Sequence, residues 1–94
     1  MFENYAHTEI KGLISKGGQL IDVRSPVEFS QGSIEGAINM PAESIEFFAD
    51  TIDPSRPIIL YSSAGNRSAK VKAFLEARGF EQVYNMGAYR KYVV

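Results

Sequence analysis

The stretch PIILYSSAGNRSAK, residues 57–70, constrains this chain more than any other. Ile58, Ile59, Leu60 and Tyr61 follow one another without a polar break and mark the most strongly buried strand of the sequence. The run stops at the small polar loop SSAGNRS and passes into a helical pattern from Ser68 to Arg78. Val71, Phe74 and Leu75 form the apolar face of that helix, and Gly79 stands where a left-handed residue ends one. A buried strand that feeds a helix through a short loop points to a layered fold.

The rest of the chain repeats the alternation. Ile10, Leu13 and Ile14 predict a helix over 9–16, with Thr8 as its cap and Gly17-Gly18 as its stop. Gln19–Val23 reads as a short buried strand. Ser25-Pro26 opens a short helix that has Glu28 in its first turn, where the dipole favours an acid, and Gly32 at its end. Ala37–Met40 reads as a second strand, 42–50 as a helix, 53–57 as a turn, Glu81–Asn85 as the last strand and 87–92 as a final helical turn. Strands alternating with helices predict an α/β fold in one domain over residues 1–94, its mainly parallel central sheet flanked by helices on both faces.

Composition removes several classes of function. Ten Lys+Arg stand against eleven Asp+Glu, with a pI near 5.8, so no overall field draws the chain to nucleic acid or an anionic membrane. No run reaches the length of a membrane span, and the start MFENYAHTEI lacks the basic and apolar regions of a signal peptide. The expected location is the cytoplasm. The chain has no cysteine, which rules out disulfides, thiolate-metal sites and thiol catalysis in the sequence as it stands. No histidine and carboxylate cluster has metal-ligand spacing, and neither metal nor cofactor is expected.

The loop at 62–67 leaves the carboxyl end of a strand, where open parallel sheets place their sites. Backbone N–H groups in a tight turn around Gly65, together with the positive end of the following helix, make an anion cradle. Arg67 either faces that anion or ties the loop to an acid. The sequence is no P-loop, since Gly65 is followed by Asn66-Arg67-Ser68 and has no earlier glycine or following lysine. It is no serine-hydrolase elbow either: Tyr61 stands where the first glycine belongs, and the one histidine, His7, precedes the loop. Neither Ser62 nor Ser63 has a visible base. A purely structural strand-to-helix connection, with Ser68 as helix cap, is the plainest alternative.

Three segments taken together resemble the rhodanese family. IDVRSPVEFSQGSIEGAINMP, residues 21–41, is similar to its signature D-V-R-x-P-x-E-[FY] followed by G-[HS]-I-x-G-A-[IK]-N-[IM]-P. LYSSAGNRSAK, residues 60–70, is similar to its active-site segment [VL]-Y-C-x-x-G-x-R-S, with Ser62 where the cysteine stands. VYNMGAYRKY, residues 83–92, is similar to the closing V-x-x-[LM]-x-G-G-x-x-x-W, with Ala88 for the second glycine and Tyr92 for the aromatic. Four residues lie between Ser62 and Arg67, the spacing of the sulfurtransferase branch; related phosphatases have a loop one residue longer.

The resemblance implies a double displacement. A cysteine thiolate takes the outer sulfur of thiosulfate or a persulfide donor and passes it to a thiol or cyanide acceptor. By position, Ser62 takes the nucleophile's place, Ser63, Ala64, Gly65, Asn66, Arg67 and Ser68 form the loop, and Asp22, Arg24 and Glu28 support it. A serine hydroxyl ionises far less readily than a thiol, whose ordinary pKa is about 8.5, and cannot carry sulfur as a persulfide. Turnover is therefore not expected with Ser62. Two readings stand: a sulfurtransferase whose cysteine has been replaced, and a natural non-catalytic relative that binds an anion or a protein partner. For the second, Tyr89, Tyr92 and Val93-Val94 are the candidate patch, although terminal aromatics more often pack on their own domain. Many thiosulfate-using members of that family have a basic residue inside this loop and Ser63-Ala64 offers none, so the resemblance implies a persulfide or other donor in place of thiosulfate. The chain ends soon after the closing motif, and a short natural protein and a piece of a longer one are equal expectations.

Overall fold

A computed structural model describes the backbone of residues 7–92 and the side chains of residues 8–90. Four strands, β1 (Gln19–Asp22), β2 (Ile38–Asn39), β3 (Ile58–Ser62) and β4 (Val83–Ala88), form a parallel sheet in the order β2-β1-β3-β4. Five α-helices surround it: α1 (His7–Ser15), α2 (Pro26–Ser30), α3 (Ile45–Phe48), α4 (Asn66–Ala77) and α5 (Tyr89–Tyr92). The fold is α/β with a parallel sheet.

The uninterrupted run 58–61 is apolar throughout because β3 is central and covered on both faces. All five of its residues are buried, and the pleat sends alternate side chains opposite ways. Ile58 and Leu60 join Ile21, Val23, Val71, Leu75 and Val83 on the α3/α4 side, while Ile59 and Tyr61 join Ile10, Leu20 and Met86 on the α1 side. Continuing the alternation, Ser62 faces α4 with Ile58 and Leu60. The sheet therefore delivers it beneath the start of α4.

Several expected boundaries move. Thr8 lies inside α1, which is already helical at His7, so it is not the cap. The second strand shortens to Ile38–Asn39, and 42–50 divides into a 3-10 turn at Ala42–Ser44, α3, and a second 3-10 turn at Ala49–Thr51. α4 starts at Asn66, two residues before Ser68, because Gly65 takes the N-cap position with φ 93°, a left-handed angle that suits glycine. Ser68 is thus an interior helical residue, not a cap. Gly87 belongs to β4 and not to the last helix. The Tyr92 side chain, Val93, Val94 and the side chain of His7 lie outside the described residues.

Candidate active site

The site is built at the carboxyl ends of β1 and β3. Ser62 closes β3 fully buried, and its Oγ lies where loop donors converge: Gly65 N–H donates to it at 3.0 Å and Ser68 N–H at 3.2 Å. The Ser68 hydroxyl lies 3.1 Å from the same oxygen. Ser68 Oγ is in turn 2.7 Å from Asn85 Oδ1 and 3.1 Å from the Gly65 carbonyl. With Ser68 donating to Asn85, Ser62 donates to Ser68, and both of these hydroxyls are satisfied.

Asn85 owes its place to a bulge. The β3/β4 register passes from Leu60 opposite Asn85 to Tyr61 opposite Gly87, leaving Met86 as the extra residue. Asn85 Oδ1 accepts the Gly87 N–H at 2.9 Å, which also fixes which end of the amide is oxygen. The strand kink thus turns a buried polar side chain under the loop.

A second layer holds the loop from outside. Arg67 grips Glu28 with both guanidinium arms, at 2.7 Å to Oε1 and 3.1 Å to Oε2. Ser63 Oγ donates to Glu28 Oε2 at 2.8 Å, and Ser25 N–H donates to Oε1 at 2.9 Å. Glu28 therefore serves twice, closing the capping box of α2 and fastening the loop to that helix. The Arg67 hydrogen bonds, followed by the Ser25 N–H, hold its carboxyl well below the usual carboxylate range. Glu28 raises the Arg67 pKa in return. Of the two roles open to Arg67, the geometry gives it the tie to an acid.

Asp22 and Arg24 form a buried pair beside the loop. The Arg24 N–H reaches Asp22 Oδ1 at 2.8 Å, and its guanidinium reaches Oδ2 at 2.8 Å. The same guanidinium lies 4.0 Å from the centre of the Tyr89 ring, which stacks on Tyr61 at 5.8 Å. Asn39 Nδ2 donates to the carbonyls of Asp22 and Arg24 at 2.9 and 3.0 Å and so fixes the turn after β1. Burial pushes the Tyr61 hydroxyl pKa up and keeps it neutral. Tyr89, a candidate for an outer patch, packs on its own domain, the more frequent outcome for a terminal aromatic.

Beside these residues lies an open cleft of about 470 Å³, whose lining includes Arg24, Glu28, Ser63, Ala64, Tyr89 and Arg90. The structure thus brings Ser62–Ser68, Asp22, Arg24 and Glu28 to one place. Asn39, Asn85 and Arg90 were missed. Asn85 was open to detection, since it shares the alternation of Val83 and falls on the buried face; Asn39 stood within the quoted signature. Among the described residues, no cluster of His, Cys, Asp and Glu has the makings of a metal site, and no helix is long and apolar enough to cross a membrane.

A parallel sheet thus delivers one side chain into a loop of converging N–H groups at a helix start. Residues 6–93 match the rhodanese-like domain, and the chain belongs to the rhodanese family. It is 28% identical over 85 residues to the thiosulfate sulfurtransferase GlpE of Pseudomonas aeruginosa, covering 90% of this chain and 77% of that protein. Among solved structures, the human single-domain sulfurtransferase TSTD1 superposes with a TM-score of 0.78 at 25% identity, over 95% of this chain and 93% of that one. A Staphylococcus saprophyticus protein, SSP1007, superposes with a TM-score of 0.81 at 29% identity, over 98% and 94% of the two chains.

Proposed function

We propose that the chain is a rhodanese-type sulfurtransferase scaffold whose nucleophile position holds Ser62, and that it does not transfer sulfur in this form. The observation that carries the reading is the convergence of the Gly65 and Ser68 N–H groups on Ser62 Oγ. Those donors serve a negative charge better than a neutral hydroxyl. With sulfur at position 62, a thiolate there is stabilised by the same two N–H groups and by the Ser68 hydroxyl turning toward it.

The reaction is the one that membership of the rhodanese family implies, with a cysteine at position 62. The thiolate attacks the outer sulfur of thiosulfate, the new S–S bond forms as the old one breaks, and sulfite leaves with the bonding pair. The product at position 62 is a persulfide anion, and total charge is conserved. A thiol or cyanide acceptor then removes the outer sulfur and regenerates the thiolate. With a persulfide donor, the leaving group is a thiolate in place of sulfite. Ser62 offers neither a low enough pKa nor an atom that bonds sulfur reversibly. The same reading takes residues 1–94 as one domain and places it in the cytoplasm, where thiol acceptors stay reduced.

One observation favours a second reading, a non-catalytic module that binds a protein: Phe47 on α3 is 83% exposed, with its edge against Phe48. The two separate in a sulfur-transfer assay on Ser62→Cys beside the unchanged chain, with thiosulfate and a persulfide as donors and cyanide as acceptor. Thiocyanate from Ser62→Cys alone is the expected result. A folded Ser62→Cys protein that produces none with either donor removes the enzyme reading and leaves the Phe47 surface to be pursued.

A further inference from the structure

Two arginines line the cleft, Arg24 and Arg90, and a third, Arg67, pairs with Glu28 on its wall. Arg24 is bound by Asp22 and covered by the Tyr89 ring. Arg67 is bound through both arms by Glu28, which balances its charge. Glu28, the carboxylate on the cleft wall, is satisfied by Arg67, Ser25 and Ser63. Arg90 lines the same cleft, is exposed, and makes no ion pair with any described residue. The Asp22–Arg24 and Glu28–Arg67 pairs cancel, and among the described residues that line the cleft the charge without an ion-pair partner is that of Arg90.

Its position is fixed from below. Tyr89, the residue before it, stacks on Tyr61 and lies under Arg24. Gly32 leaves room for the Tyr89 hydroxyl, since a Cβ there would lie 3.1 Å from it. The first residue of α5 is thereby anchored, and the next, Arg90, lines the cleft together with Ser63 and Ala64.

We infer that Arg90 is the specificity residue for a small dianionic sulfur donor, holding its sulfonate end while the outer sulfur points to position 62. The inference rests on the proposed sulfur chemistry and deepens it. It also supplies the cation that Ser63-Ala64 lack inside the loop. A guanidinium suits this task because its planar fork pairs with two oxygens at once. Thiosulfate, with one sulfonate and one outer sulfur, is the simplest donor of this class. A small alkyl persulfide lacks the sulfonate and gains little from Arg90.

The unreactive Ser62 chain allows the binding step to be read alone. Titration calorimetry with thiosulfate should show saturable binding that weakens as salt rises. Arg90→Gln should weaken it about tenfold, the scale of one charge-assisted contact. Arg90→Lys should recover part of the loss, since it keeps the charge and loses the fork. In the Ser62→Cys background, Arg90→Gln should lower kcat/KM for thiosulfate through KM, and by several times more than for the alkyl persulfide. No thiosulfate binding to the Ser62 chain, or equal affinity with and without Arg90, overturns the inference even if Ser62→Cys transfers sulfur. Failure of Ser62→Cys with both donors overturns the sulfur chemistry instead, while the calorimetry still decides on Arg90.

Discussion

Asn85 occupies a strand position that alternation reserves for an apolar side chain, and it is only 2% exposed. A buried amide persists there because its oxygen takes two donors, the Ser68 hydroxyl and the Gly87 N–H. Asn85→Ala strands both, and should destabilise the chain by about 2–3 kcal/mol in chemical denaturation. A loss below about 0.5 kcal/mol would show that water replaces the amide at no cost. Glu28 acts at the same scale with a different signature. Its carboxyl is depressed in the folded chain, so its contribution is complete above the unfolded value of 4.5 and is lost as pH falls below that toward the folded value. With Glu28 33% and Arg67 39% exposed, solvent screens the pair and the effect is modest. Denaturation midpoints between pH 7 and pH 3 should therefore fall more steeply for the unchanged chain than for Glu28→Gln; parallel curves would contradict the assignment.

At the scale of elements, the loop is a consequence of one residue's backbone. Gly65 adopts φ 93°, which lets α4 begin at Asn66 and brings the Gly65 and Ser68 N–H groups onto one oxygen. Gly65→Ala forces a left-handed angle on an L-residue and should cost about 1–2 kcal/mol, read as a lower thermal midpoint. An unchanged midpoint would mean that the loop relaxes into another path. This element was legible in the sequence because the apolar run, the glycine and the helix pattern are all local signals. The early start of α4 was not, since a glycine cap has no side chain to announce it. The region 42–51 departs for the opposite reason: its apolar residues support one helix on paper, while packing of Ile45 and Ala49 on the sheet breaks it into three short turns. Arg67 and Glu28 were both picked out, but the grip between them joins residues 39 apart in sequence, which no local pattern reveals.

For the whole molecule, a sheet covered on both faces supplies the rigidity that the site needs. β3 is fully buried and central, and its alternation sends Ile59 and Tyr61 to one core while Ile58, Leu60 and Ser62 face the other. Tyr61 links the two ends of the architecture: its hydroxyl accepts the Ile34 N–H at 3.1 Å, and its ring supports Tyr89 under the cleft. Position 62 thus closes a strand whose other side chains pack into cores on both faces of the sheet. The most direct test is intact-mass analysis of Ser62→Cys and of the unchanged chain after exposure to thiosulfate or a persulfide donor. One added sulfur atom on Ser62→Cys, removable by a thiol and absent from the Ser62 chain, is the predicted result. A folded Ser62→Cys protein that gains no sulfur from either donor would contradict the claim that position 62 is a nucleophile's place.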